Sequence, residues 1–185
     1  RRWKFCGISE KINELFLMKK NPDFTYKSLK HMYKRALSKG YNIITCEDYL
    51  NLKTQNKLPI KFVINRIDID YSILKAKNIG KLFKEINIKG SFFVRLHSRR
   101  YNPFSFENYK IIKQLIDNGN EIGYHSEIID QAAIWNEDPA DCLKRDVNVI
   151  NSIFNINIKG VASHGGFMGL NNLDFLKKNK PVDFN

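Results

Sequence analysis

The sequence predicts an α/β fold: a parallel-stranded (β/α) barrel, incomplete in this chain. Three observations lead there. Apolar periodicity switches repeatedly between helix and strand, in β-α units at roughly thirty-residue spacing. The run Phe62-Val63-Ile64-Asn65-Arg66-Ile67-Asp68-Ile69-Asp70 reads as a buried parallel strand. Two more strand-like runs also end on side chains capable of chemistry: Glu121 to Tyr124 delivers His125, and Ile158 to Ser163 delivers His164. Strand C-terminal ends are where α/β enzymes keep their active groups.

The elements follow in order. Ile8, Ile12, Leu15 and Phe16 predict a first helix that packs on the body. Tyr26, Leu29, Tyr33, Ala36 and Leu37 mark a second helical face, ended by Gly40. Tyr41 to Ile44 is a short strand. Thr45 and Asp48 then form a capping box for a short helix through Leu50. After the Asp68/Asp70 strand, Ala76, Ile79, Phe83 and Ile86 are again helical. Ser91 to Val94 is a strand. Ser105 caps a helix with Tyr109, Ile112 and Leu115 inward, closed by Gly119. Asp138-Pro139 opens the next helix with proline at its first position, and Leu143, Val147, Ile150 and Phe154 are its buried stripe.

This counts about five strands, fewer than a closed barrel needs. No linker or domain boundary is visible, so residues 1–185 read as one domain. The chain opens on Arg1 without a methionine and ends on Lys180-Pro181-Val182-Asp183-Phe184-Asn185. We therefore expect it to be part of a longer protein, truncated at its C-terminus.

Composition narrows the function. The 31 Lys+Arg against 19 Asp+Glu give a net charge of +12. The lysines are spread over nearly every helix and mixed with Asn and Ile, the bias of an AT-rich coding sequence. Without a basic helix or RNP-type motif, no nucleic-acid partner is expected. The positive field would still attract an anionic sugar or nucleotide-sugar. Cys6, Cys46 and Cys142 form no CxxC pair, which points to a reducing, cytoplasmic setting. No apolar run approaches a membrane span.

One carboxylate and two imidazoles at three strand ends suit a divalent metal such as zinc, and open positions would make it catalytic. Such an ion would polarise a carbonyl and lower the pKa of a bound water. In Asp68-x-Asp70 both side chains point to one face of the strand. One can hold the metal while the other takes a proton. A lone Asp-x-Asp is also what solvated loop carboxylates look like. Arg95 and His97 leave a strand end, either facing the site or making ordinary loop hydrogen bonds. Glu127 has three open readings: ligand, partner of His125, or substrate contact. Gly165-Gly166 either lets substrate approach the backbone or makes a turn. His31 sits on a helix surface away from any strand end.

These residues carry a resemblance. Asn65-Arg66-Ile67-Asp68-Ile69-Asp70, then Gly90-Ser91-Phe92-Phe93-Val94, then Gly119-Asn120-Glu121-Ile122-Gly123-Tyr124-His125 resemble the first three strands of NodB-type polysaccharide deacetylases. The closer similarity is to the divergent WbmS-like branch of surface-polysaccharide loci. Its motifs correspond to Arg66-Ile67-Asp68-Ile69-Asp70, His125-Ser126-Glu127 and His164-Gly165. The likeness covers roughly residues 22 to 176.

The resemblance implies a NodB-type barrel with Asp68 as catalytic base and Asp70 and His125 as metal ligands. The family's second metal histidine would fall at Ile129 and is absent, so His164 is the expected replacement. The family's late general-acid histidine is not visible. Arg66, Arg95, His97 and Glu127 are the candidate substrate contacts. Arg99-Arg100-Tyr101-Asn102-Pro103-Phe104 is similar to a later family motif but comes after the wrong strand, and reads as a structured loop. The implied function is a metal-dependent hydrolase removing an acyl group, in the simplest case acetyl, from a sugar, nucleotide-sugar or oligosaccharide in surface-polysaccharide biosynthesis. The alternative is a carbohydrate-binding or scaffold protein of the same fold with a degraded site.

Overall fold

The computed structural model describes residues 24–166 together with Asn172, Leu173 and Phe175. The helix expected over Ile8 to Phe16 lies outside these residues. In chain order the elements are α1 (Tyr26–Ser38), β1 (Asn42–Ile44), α2 (Cys46–Thr54), β2 (Phe62–Ile64), β3 (Arg66–Ile69), α3 (Ile73–Glu85), β4 (Ser91–Val94), α4 (Phe106–Asp117), β5 (Glu121–Ser126), α5 (Ile128–Trp135), α6 (Pro139–Phe154) and β6 (Val161–Ser163). Every strand pair is parallel, and the strands curl into a half-barrel compatible with part of a (β/α) barrel.

Local chemistry sets the helix ends. The Thr45 hydroxyl accepts the Asp48 amide while the Asp48 carboxylate accepts the Thr45 amide, the reciprocal box the sequence predicts. This helix runs on to Thr54, past the expected end at Leu50. Ser105 and Asp138 cap α4 and α6 through their side chains, and Pro139 occupies the first turn of α6. Helix α5 was not foreseen.

The long strand expected from Phe62 to Asp70 is two strands. β2 pairs with β1, and β3 pairs with β4. Asn65 makes the break and is buried. Its amide donates to Ile44 O, and its carbonyl accepts from Ser91 N. Its side chain accepts from the Tyr33 hydroxyl and donates to Lys89 O. The chain thus changes neighbours at Asn65 with no backbone group left unpaired, as a buried segment requires.

Register and alternation then sort the side chains. Rows align Arg66 with Ser91 and Glu121, Asp68 with Phe93 and Gly123, and His125 with Ala162. Residues two apart share a face. One face therefore carries Ile69, Phe92, Val94, Ile122 and Tyr124, which join Phe83, Ile112, Val147 and Phe154 in the core against the helices. The other, concave face carries Arg66, Asp68, Phe93, Gly123 and His125. Phe93 lies across Gly123 and Gly160; a Cβ on Gly123 would strike that ring and the Gly160 carbonyl. Below, the Cys46 amide donates to Ser91 Oγ and the Glu47 amide to Glu121 Oε2.

Candidate metal centre

Three strand ends bring Asp70, His125 and His164 together. One ligand atom from each lies within 4.8 Å of the other two. His125 Nε2 and His164 Nε2 each stand 3.5 Å from Asp70 Oδ1. Tetrahedral bonds of about 2.0–2.1 Å place neighbouring ligand atoms about 3.3 Å apart, so these spacings fit one small ion.

Two further observations support the fit. Asp70 Oδ1 is buried and has no hydrogen-bond partner, although 38 % of the side chain is exposed. A buried carboxylate oxygen facing two imidazole nitrogens without bonding either is costly unless a cation completes it. Second, His125 Nδ1 lies 3.1 Å from Ala162 O and must donate to it. That leaves the Nε2 lone pair pointing at the cluster, the arrangement a metal-binding histidine needs. Burial pushes the His125 pKa below the usual histidine value, which favours the neutral, ligating form.

Behind His164 stands Glu127. His164 Nδ1 is 3.2 Å from Glu127 Oε1, yet the pair lacks hydrogen-bond alignment and Nδ1 has no partner. We read it as an electrostatic contact. Glu127 is held by the Arg95 guanidinium, with Nη2 2.6 Å from Oε1 and Nε 3.2 Å from Oε2. Of its three readings, pairing with His125 is not what the structure shows: Glu127 is hydrogen-bonded to Arg95 and stands against His164. Asn172, which the sequence gave no reason to single out, donates to His164 O and Asp130 Oδ2 and accepts the Ile129 amide. It ties the start of α5 to the His164 loop.

Asp68 stands beside the cluster, with Oδ2 3.7 Å from His125 Nε2. Arg66 forks onto it with two 2.8 Å bonds and lies over the Phe93 ring. Arg66 is thus bonded within the protein, and its side chain stays partly exposed beside Asp68. Arg95 is likewise held by Glu127, although both line the cavity above the cluster. His97 lines it too, and its Nε2 donates to Asp146 Oδ2 at 3.0 Å. Asp146, also unforeseen, is buried and accepts the Tyr124 hydroxyl at 2.6 Å. Burial and this carboxylate push the Tyr124 pKa well above its ordinary value. His31 is exposed on α1, as expected.

Compared with known proteins, the chain matches no family model, no curated protein and no solved structure. Among the described residues no helix is long and apolar enough to cross a membrane.

Proposed function

We propose that this protein is a metal-dependent hydrolase that removes an acyl group, most simply acetyl, from a sugar in surface-polysaccharide biosynthesis. The observation that carries the reading is the buried, unpartnered Asp70 Oδ1 facing two imidazole nitrogens, with Asp68 beside it. Asp70, His125 and His164 would hold the ion, and their oxygen and nitrogen donors suit zinc. When bound, such an ion would supply Lewis acidity to an acyl carbonyl and to a water. Asp68 takes the proton as the water oxygen bonds to the acyl carbon, and Arg66 fixes the direction of its carboxylate. The bond from acyl carbon to the sugar nitrogen or oxygen then breaks, and the leaving atom takes up a proton. His97, oriented by Asp146, is the cavity imidazole outside the cluster and would deliver it.

The test is acetate release from an acetylated sugar, with metal content determined on the same samples. Asp68→Asn is expected to lose about 10²- to 10⁴-fold in rate, the usual contribution of a general base, with metal retained. Wild-type rates in that variant would remove Asp68 from the mechanism. Metal binding without acetate release from any acylated sugar would favour the carbohydrate-binding alternative.

A further inference from the structure

We propose that the cavity over the cluster binds a sugar carrying an anionic group, and that Arg99 and Arg100 receive that group. The inference rests on the hydrolase reading for its sugar and adds the class of sugar. The cavity holds about 500 Å³, enough for a monosaccharide with a substituent. Its charge is divided. Its acidic lining is Asp70 at the cluster, Glu127 paired with Arg95, and Asp130 bonded to Asn172, with His164 beside them. Arg99 and Arg100 line the cavity as well, are exposed, and form no ion pair with the described residues. Arg95, by contrast, is neutralised by Glu127.

The arginine loop is anchored. The Tyr101 hydroxyl beneath it donates to Ile69 O at 2.5 Å and accepts the Arg95 amide at 3.0 Å. Burial raises the Tyr101 pKa to about 12, so it stays a donor. The Arg100 amide donates to Ser98 Oγ, and its guanidinium lies 5.6 Å from the Tyr71 ring centroid. Two guanidinium groups so placed suit a carboxylate or phosphate, which they bind through paired N–H donors.

A second observation points to the sugar itself. Gln131 lines the cavity, is only 4 % exposed, and its Oε1 has no hydrogen-bond partner. An unpaired acceptor in a buried wall is costly until a ligand brings a donor. A hydroxyl or acylamino N–H is such a donor. Next to it Ile134 and Trp135 expose apolar surface. The Trp135 and His97 rings pack edge to face with centroids 5.0 Å apart, and the Arg145 guanidinium lies 5.1 Å from the Trp135 ring centroid. An apolar wall beside one acceptor suits a pyranose, whose faces present C–H groups and whose rim presents hydroxyls.

The experiment is titration calorimetry of the protein as purified against N-acetylglucosamine, its 1-phosphate, its uronic acid counterpart and inorganic phosphate. At least one acidic sugar should bind roughly ten- to a hundredfold tighter than the neutral one, the usual gain from charge-assisted hydrogen bonds. Which acidic sugar wins identifies the source of the charge. Arg99→Ala/Arg100→Ala should abolish the preference while leaving affinity for the neutral sugar and metal content unchanged. Equal affinity for neutral and acidic sugars, a preference surviving the double substitution, no binding of any sugar, or phosphate binding as tightly as the sugar phosphate would each overturn the proposal. One bound metal without an acidic preference sinks this inference alone. An intact preference without metal sinks the hydrolase reading alone.

Discussion

Asp70 lines the cavity and Asp146 stands behind two of its lining residues, His97 and Gln131, and the oxygens of the two carboxylates are treated differently. Asp146 Oδ2 accepts the Tyr124 hydroxyl and His97 Nε2–H, and Oδ1 accepts the Gln131 amide at 3.4 Å. Asp70 Oδ1 is also buried, faces two imidazole nitrogens at 3.5 Å, and bonds neither. The first arrangement is complete as it stands: it orients His97 and keeps buried polar groups satisfied. The second lacks a partner, and a divalent cation is the partner its donors fit. Burial alone therefore does not separate a structural carboxylate from a candidate ligand; hydrogen-bond satisfaction distinguishes these two.

The largest effect expected from this contrast is on stability, at the satisfied site. Asp146→Ala strands the Tyr124 hydroxyl, in a side chain with no exposure, and releases His97. An unsatisfied buried donor costs about 1–3 kcal/mol and a lost bond to a charged group adds to it, so the variant should lose about 2–4 kcal/mol. Asp70→Asn should cost about 1 kcal/mol or less in metal-free protein, because its buried oxygen has no bond to lose. Urea denaturation of both variants, with unchanged m values, measures the pair. If the two cost the same, the contrast collapses.

The second effect reverses the roles of the two sites. Added zinc should stabilise the wild type by about 2.7 kcal/mol at a hundredfold excess over its dissociation constant, and Asp146→Ala by the same increment. Asp70→Asn should gain little. Zinc stabilising Asp70→Asn as much as wild type would place any bound ion elsewhere.

Much of this was legible in the sequence because strand alternation is strict. Once Phe62 to Asp70 reads as a strand, Asp68 and Asp70 must share a face, and His125 and His164 at neighbouring strand ends must reach the same rim. The capping signals at Thr45, Ser105 and Asp138 are local and were readable for that reason. The change of partners at Asn65 was not, because it depends on Tyr33, Lys89 and Ser91, distant in sequence. Helix α5 hid because Ile128-Ile129-Asp130-Gln131 presents no clean polar face: Asp130 and Gln131 are both buried. Asp146 looked like the polar side of a helix whose apolar stripe was already assigned. The fork of Arg66 onto Asp68 was not legible either, because nothing in a sequence says that a guanidinium folds back onto a carboxylate two residues on.

The smallest effect expected is at Gln131, which touches both halves of the comparison. Its Nε2 reaches Asp146 at a long 3.4 Å, while its Oε1 is buried without a partner. Methionine keeps nearly the same volume and chain length with no group that must be paired. Gln131→Met gives up one weak bond and relieves one unpaired acceptor, terms of about 1 kcal/mol that oppose each other. Net stability should therefore change by less than about 1 kcal/mol, whereas affinity for the acidic sugar should fall several-fold, about what one neutral hydrogen bond contributes. Unfolding midpoints and sugar titration on the same variant separate the two. A stability loss above about 2 kcal/mol would make Gln131 a structural member of the Asp146 network, and among the described residues the unpaired buried polar atoms facing this cavity would then be Asp70 Oδ1 and His164 Nδ1, both at the cluster.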